Sequence, residues 1–356
     1  MTLRLRALDD ASGADAVAME AAWDGFVLAH PHGTFFHRAA WRRVIASAFG
    51  HATHYVLAER DGAVVGVLPL ARVRTLLFGD ALISVPFCVN GGPLAADAEA
   101  FAALVAHAED VMRAAGVKVL EFRFLHAPPD GWLAPADWPA KSDLYVTFRK
   151  SISGDDEANM KAIPRKQRAV VRKGIAAGLI SREETHLDAF FPIYATSVRN
   201  LGTPVFPQRY FRALHDAFRD RCRVTTVYHA ETPVASVFSF LYKNTVMPYY
   251  GGGLPIARDL KAYDFMYWEL MRTACEAGMS AFDYGRSKID SGSYAFKKNW
   301  GFESTPLVYE YHLLGSHEMP NRNPNNPKFS LAVKAWKKLP LPLANLIGPR
   351  ISPYLA

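Results

Sequence analysis

The same order of secondary-structure signals runs through this chain twice, and that repetition limits the fold more than any single motif does. The first pass has two apolar-rich strands, 54–60 and 63–73, joined by an Asp61-Gly62 hairpin turn. A strand ending in glycines (81–92), an Ala-rich helix over 97–115 and a strand at 117–124 follow. The second pass sets strands 223–229 and 234–242 about a Glu231-Thr232-Pro233 turn. Next come 245–253, again ending in glycines, a helix over 259–277 and a strand at 279–285. Aligning Gly116 with Gly278 lays Leu120 over Phe282, Glu121 over Asp283 and Phe122 over Tyr284. We read a duplication with a period of about 160 residues. It predicts an α/β (α+β, mixed-sheet) chain of two tandem domains.

Size agrees with two domains. The chain has 356 residues, 50% of them hydrophobic, more apolar material than one compact domain usually holds. Residues 1–152 and 153–315 are the expected domains, and 316–356 a Pro/Asn-rich linker with a basic amphipathic tail. Lys plus Arg number 41 against 34 Asp plus Glu, a net charge of +7 that favours anionic partners. Cys88, Cys222 and Cys275 lie far apart, with no CxxC and no histidine cluster at ligand spacing. That argues against a disulfide scaffold and a structural zinc, so no metal is expected. The first residues acquire acids early without an apolar stretch, and no window of 18 apolar residues occurs. A soluble protein of the reducing cytoplasm is expected.

Chemistry-bearing side chains concentrate in three places. Residues 282–303 open at the carboxyl end of a strand, where α/β proteins hold ligands. Asp283 is followed by Arg286, Ser287 and Lys288, and a short helix over 294–300 carries Lys297 and Lys298. The cations could converge on an anionic group, with Ser287, Ser291 and Ser293 as neutral donors. Interleaved Phe282, Tyr284, Tyr294, Phe296, Trp300 and Phe302 suggest a walled pocket; a solvated basic loop would have the same composition. In the second place, Tyr250 precedes Gly251, Gly252 and Gly253, which permit close backbone approach to a ligand. The helix after them puts Tyr263, Tyr267 and Leu270 on one stripe; for Tyr267 and Trp268 plain core packing is the favoured reading. No GxGxxG, GxxxxGK[ST] or coenzyme A pyrophosphate loop is present.

The third place is 163–173. Pro164 suits a first helical turn, and Arg165, Arg168 and Arg172 share a helix face with Lys166 and Lys173 on the flank. Close like charges weaken a helix. One that tolerates them is a candidate for gripping a phosphate-bearing substrate, with a solvated face as the default. His51 and His54 lack the glutamate of HExxH, and His30 and His32 sit in a loop. Ser84, Ser236 and Ser239 have no GxSxG elbow.

Taken together, 33–45, 163–179, 200–211, 248–253, 282–288 and 293–302 resemble the FemAB/FemX branch of the GNAT acyltransferases over nearly the whole chain. The likeness is to the FemAB-like proteins of exosortase/PEP-CTERM exopolysaccharide systems. It implies two tandem GNAT-like domains and transfer of an acyl or aminoacyl group to an amine. The family's F-K-x-x-F-G motif is matched by Phe296-Lys297-Lys298-Asn299-Trp300-Gly301, with Trp for Phe. Its basic helix entering the second domain corresponds to 165–173. The charged helical-hairpin arm of some Fem enzymes is absent. The missing coenzyme A loop agrees with the family's aminoacyl-tRNA donor.

The site expected on this basis assigns catalysis to Asp283, Arg286 and Lys297. Lys297 or Arg286 would supply positive charge near the oxyanion or a donor phosphate. Asp283 would orient the acceptor or take its proton, unless it makes an ion pair with Arg286. Substrate binding is expected from Arg165, Arg168, Arg172, Tyr250, Gly251, Gly252, Tyr263, Ser287, Lys288, Lys298 and Trp300. No bound cofactor is expected. The donor is open among aminoacyl-tRNA, acyl thioester and acyl-CoA, and the acceptor is a small-molecule or glycan-precursor amine. A non-catalytic scaffold and an acyl-CoA-dependent N-acetyltransferase are the rivals. The basic, acid-free tail suggests peripheral contact with an anionic membrane, with packing on the protein body as its alternative.

Overall fold

The computed structural model describes residues 2–75, 79–129, 131–132, 138–315 and 327–355. They fall into two units. The first runs to Leu144 and returns at Leu307; the second runs from Tyr145 to Pro306 and takes in the C-terminal helices to Ser352.

The first unit opens with β1 (Leu3–Ala7), α1 (Gly13–Ala29) and α2 (Trp41–Phe49). Strands β2 (Ala52–Arg60), β3 (Ala63–Thr75), β4 (Gly79–Ser84) and β5 (Leu94–Ala95) follow, then α3 (Ala98–Ala114), β6 (Val119–Phe124) and β7 (Ala140–Lys141). The second begins with β8 (Tyr145–Ser151), α4 (Asp156–Ala162), α5 (Arg165–Ala176), β9 (Ile180–Glu184), α6 (Phe190–Leu201) and α7 (Gln208–Ala217). It continues with β10 (Cys222–His229), β11 (Thr232–Tyr242), β12 (Thr245–Gly253), α8 (Ile256–Asp259) and α9 (Ala262–Glu276). Strands β13 (Ala281–Asp283) and β14 (Ser287–Lys288), helix α10 (Gly292–Asn299) and strand β15 (Glu303–Pro306) complete its main body. Last come β16 (Val308–Leu313), α11 (Pro327–Lys338) and α12 (Leu341–Ile351).

Among the described residues each unit forms one eight-stranded mixed sheet. The first follows the order β1-β2-β3-β4-β6-β16-β7, with β5 on β3. The second follows β14-β8-β13-β12-β11-β10-β9, with β15 on β8. Each has one internal parallel pair. In the first, Leu82 lies opposite Leu120; in the second, Val246 lies opposite Phe282. Each pair is followed outward by an antiparallel strand, β16 on β6 and β8 on β13. The duplication read from the sequence is therefore a repeated topology, down to the alignment of Leu120 with Phe282.

Local chemistry explains the joints. Asp61 and Gly62 sit at φ 52 and 80, the paired positive angles of a type I′ hairpin. Asp97 caps α3 by accepting from the Ala100 N–H at 2.9 Å. In the second unit Phe148, Val237, Val246, Phe265, Met266, Leu270 and Phe282 form one buried core with Trp300.

Some expectations change. The first boundary falls at 144/145 rather than 152/153, because β8 pairs in the second sheet, while β16 (expected in the second domain) pairs in the first. The helix expected over 259–277 starts later, at Ala262, because Lys261 takes φ 59 and separates it from the short α8. The 231–233 turn is at Ala230-Glu231, both at positive φ, so Thr232 already belongs to a strand. Pro342 lies in the first turn of α12, a position where its missing N–H costs no hydrogen bond. Most of the expected linker, 316–326, lies outside the described residues.

Candidate functional site

The parallel pair of the second sheet parts early. β12 and β13 are registered only at Thr245/Ala281 and Val246/Phe282. Beyond that β12 continues along β11 to Gly253, while β13 ends at Asp283. Tyr249 is an extra residue in β12, since Phe238 faces Tyr250 and Ser239 faces Pro248. Such a bulge bends its strand, and Pro248 lacks an N–H. Main-chain groups of β12 thus border a gap at the carboxyl end of β13, and Asp283 sits at its corner.

Strand alternation places Thr147 and Arg149 of β8, Asp283 of β13 and Thr245 of β12 on one face. Asp283 is half-buried. The Thr147 hydroxyl donates to its Oδ1 at 3.0 Å and the Gly285 N–H donates to the same oxygen at 2.7 Å. Burial raises the carboxyl above the usual carboxylate range, against these bonds and the positive charges of Arg149 and Lys297. Among the described residues Asp283 makes no ion pair with Arg286; its Oδ1 is held by Thr147 and the Gly285 N–H alone.

Lys297 is 9% exposed. Its ammonium donates to the carbonyls of Gly285 at 2.9 Å and Arg286 at 3.0 Å. Burial pulls it down to about 7, opposed by the nearby Asp283 charge. The Arg286 guanidinium lies 4.6 Å from the Tyr145 ring, and the Lys297 ammonium 5.7 Å from the Phe148 ring. Tyr145 and Phe148 point to opposite faces of β8. The Lys297 ammonium is engaged by the Gly285 and Arg286 carbonyls, where convergence with Arg286 on an anion is expected from the sequence. Lys297 instead clamps the loop from which Arg286, Ser287 and Lys288 project. Ser287 is buried and its Oγ has no partner among the described residues. Lys288 is half-buried in β14, paired with Tyr145.

The basic helix forms a second locus. Arg165 and Arg172 are exposed and Arg168 half-buried on α5, and none of them, nor Lys166 or Lys173, has an acidic partner among the described residues. A cavity of about 430 Å³ lies at the start of α5, lined by Arg165, Lys166, Gln167, Lys298 and Asn299 with Pro164 and Val170. No acid lines it.

Behind it lies a polar node that the sequence reading missed. Asp264 of α9 is buried, and its Oδ1 accepts from the Gln167 amide and from the Trp300 indole N–H, the latter at 3.2 Å. Burial raises its carboxyl. The node fixes α5 to α9 and α10. Trp300, expected to contact substrate, is fully buried and serves this joint. The spacing of Gln167, Asp264 and Trp300 gives no local signal for it.

Other expected ligand contacts pack against the unit itself. Tyr250 is buried, its hydroxyl 2.7 Å from that of Tyr210, in an aromatic cluster with Tyr194, Phe206 and Phe211. A Cβ on Gly252 would fall 2.6 Å from the Ser197 Cβ, so this glycine admits α6 rather than a ligand. Gly251 is half-buried against Val237, and Tyr263 donates to the Gly253 carbonyl at 3.3 Å.

The first unit is built differently at the matching place. Glu121, aligned with Asp283, forms a 2.7 Å ion pair with Arg123, both nearly fully buried. Arg123 occupies the position of Gly285. The acid there is neutralised; in the second unit it is not. The first unit also has a cavity of about 240 Å³, lined among others by His30, His32, Phe101, Phe124, His126 and Trp132. Among the described residues no group of three His, Cys, Asp or Glu is placed to hold a metal, and no helix is long and apolar enough to cross a membrane.

Residues 158–298, the span holding α5, the parting strands and Lys297, match the family model for the acetyltransferase (GNAT) domain. Over that span the chain is similar to a GNAT domain. The crystal structure of FemX superposes with a TM-score of 0.66 at 16% identity, covering 83% of this chain and 96% of that one. The C-terminal domain of a putative lysylphosphatidylglycerol synthetase from Agrobacterium fabrum gives 0.56 at 14% identity, covering 84% and 93%. A tandem GNAT protein of the clavulanic acid biosynthesis pathway gives 0.54 at 15%, covering 89% and 100%. At these identities the likeness is one of fold, and that fold is two GNAT-like domains in tandem. No curated protein matches the chain by sequence.

Proposed function

We propose that this GNAT-like chain transfers an acyl or aminoacyl group from an activated donor to an amine, and that the second unit performs the transfer. The observation that carries the reading is the un-ion-paired Asp283 carboxyl at the corner where β12 and β13 part. The amine nitrogen attacks the donor carbonyl, forming the C–N bond as the C=O pair moves to oxygen. Collapse breaks the bond to the donor's oxygen or sulfur, which leaves with its electron pair. Asp283 takes the proton shed by the amine and returns it to the leaving group. Arg286, on the Tyr145 face that also carries Thr147, supplies positive charge beside the oxyanion. Lys297 acts as a positioning residue, holding the Gly285–Arg286 carbonyls and so the shape of the loop.

The cationic row on α5 and the acid-free cavity at Arg165, Lys166 and Lys298 favour a phosphate-bearing donor, and among the candidates aminoacyl-tRNA. FemX and the synthetase domain agree in fold with this choice, and the acceptor is then an amine of an envelope or glycan precursor. The test offers the protein aminoacyl-tRNA, acyl carrier protein thioesters and acetyl-CoA with a mixture of amines, read by mass. An acyl mass added from aminoacyl-tRNA supports the reading. Product from acetyl-CoA alone would move the donor assignment, and no product from any donor would leave a binding protein.

A further inference from the structure

The transfer chemistry makes no use of the C-terminal helices, and their outer faces carry a pattern of their own. Helices α11 and α12 each have one side packed on α6. Val333 fills the space beside Gly202, where a Cβ would fall 2.6 Å from its Cγ1, and Gly348 lies against the Val205 backbone. The Arg199 guanidinium donates to the Lys337 carbonyl at 3.2 Å, and Ala344 is buried. The tail therefore packs on the body of its unit, and its opposite side faces solvent.

That opposite side is apolar and cationic together. On α11, Leu331 is 76% exposed with Lys334 and Lys338 at i+3 and i+7. On α12, Leu343 and Leu346 are 41% and 57% exposed, with Arg350 at i+7 from Leu343. The 3.6-residue period puts each trio on one stripe. Leu201, at the end of α6, is exposed as well. Residues 322–356 hold no Asp or Glu, and Lys334, Lys337, Lys338 and Arg350 have no acidic partner among the described residues.

Bare leucines in water are unfavourable and unpaired cations repel one another, so a surface combining both is suited to a partner that relieves both at once. A bilayer of anionic lipid does so: leucines enter the acyl boundary while lysine and arginine stems reach out to phosphates. Helices of 12 and 11 residues are too short to span it. We propose that the outer face of α11 and α12 is a peripheral docking surface for an anionic membrane. The charge complementarity of this acid-free stretch selects that partner.

The experiment sediments the full-length protein with phosphatidylcholine vesicles and with vesicles of mixed phosphatidylcholine and phosphatidylglycerol, at low and high salt. The protein is expected to pellet with the anionic vesicles only, and less at high salt. L331E/L346E is expected to weaken binding at least about tenfold with an unchanged melting temperature. K334E/K338E, at exposed positions, tests the charge half and should weaken binding and flatten its salt dependence. Wild-type protein that stays in the supernatant with anionic vesicles would overturn the proposal, as would L331E/L346E binding at wild-type strength. A vesicle-free dimer in light scattering, lost in L331E/L346E, would give the face to a second copy and equally overturn it.

Discussion

Replacing Lys297 with methionine tests whether this amine is held in the interior as described. The side chain keeps its length but loses its charge and its bonds to the Gly285 and Arg286 carbonyls. In the native protein burial pulls the ammonium down to about 7, from 10.5 for a free lysine. Between those values the unfolded chain holds a proton that the folded chain has released, so stability climbs with pH across the window. Below about 7 both states are protonated and the full burial cost is present. From about pH 6 to about pH 9, one such group adds about 2.6 kcal/mol to the unfolding free energy. The absolute offset of Lys297→Met also includes the two orphaned carbonyls, so the pH dependence is the cleaner quantity. Urea unfolding of both proteins across that range should give a difference that grows with pH in the wild type's favour. Parallel curves would refute the buried, loop-clamping lysine.

Three further outcomes follow from the site. Asp283→Asn should lower kcat by about 10²–10⁴-fold and remove the low-pH limb, because the raised carboxyl ionises, and the rate rises, only as pH climbs past its elevated value; a pH–rate profile matching wild type would exclude it as the base. Arg165→Ala with Lys298→Ala should raise KM for a phosphate-bearing donor by about tenfold, an effect that shrinks with added salt, while kcat and the melting temperature hold. Gly252→Ala should cost about 1–3 kcal/mol in chemical denaturation, since its methyl group meets the Ser197 Cβ; a neutral effect would mean α6 can shift.

Much of this was legible in the sequence because it is local. The apolar-rich strands, the Asp61-Gly62 turn and the face shared by Arg165, Arg168 and Arg172 need only neighbouring residues. Where pairing is distant, local signals fall silent. Nothing near 145–151 says that it pairs with β13, or near 308–313 that it pairs with β6. Aromatic interleaving cannot distinguish a pocket wall from a core: Trp300 and Tyr250 have the residue types of the one and the burial of the other. The direction of a long side chain is equally hidden, since Lys297 and Lys298 are adjacent yet one turns inward and the other stays exposed. Lys261 at φ 59 separates α8 from α9 with neither glycine nor proline to announce it.

The return of β16 to the first sheet sets a schedule for making this protein. The edge of β6 gains its partner only after every residue of the second unit's main body has been translated. A nascent first half must wait on the ribosome with an open, apolar strand edge, the kind that recruits other chains. Cutting the gene after the first repeat would make that wait permanent. A fragment that is to stay monomeric would have to carry residues 308–313 with it, grafted behind β6.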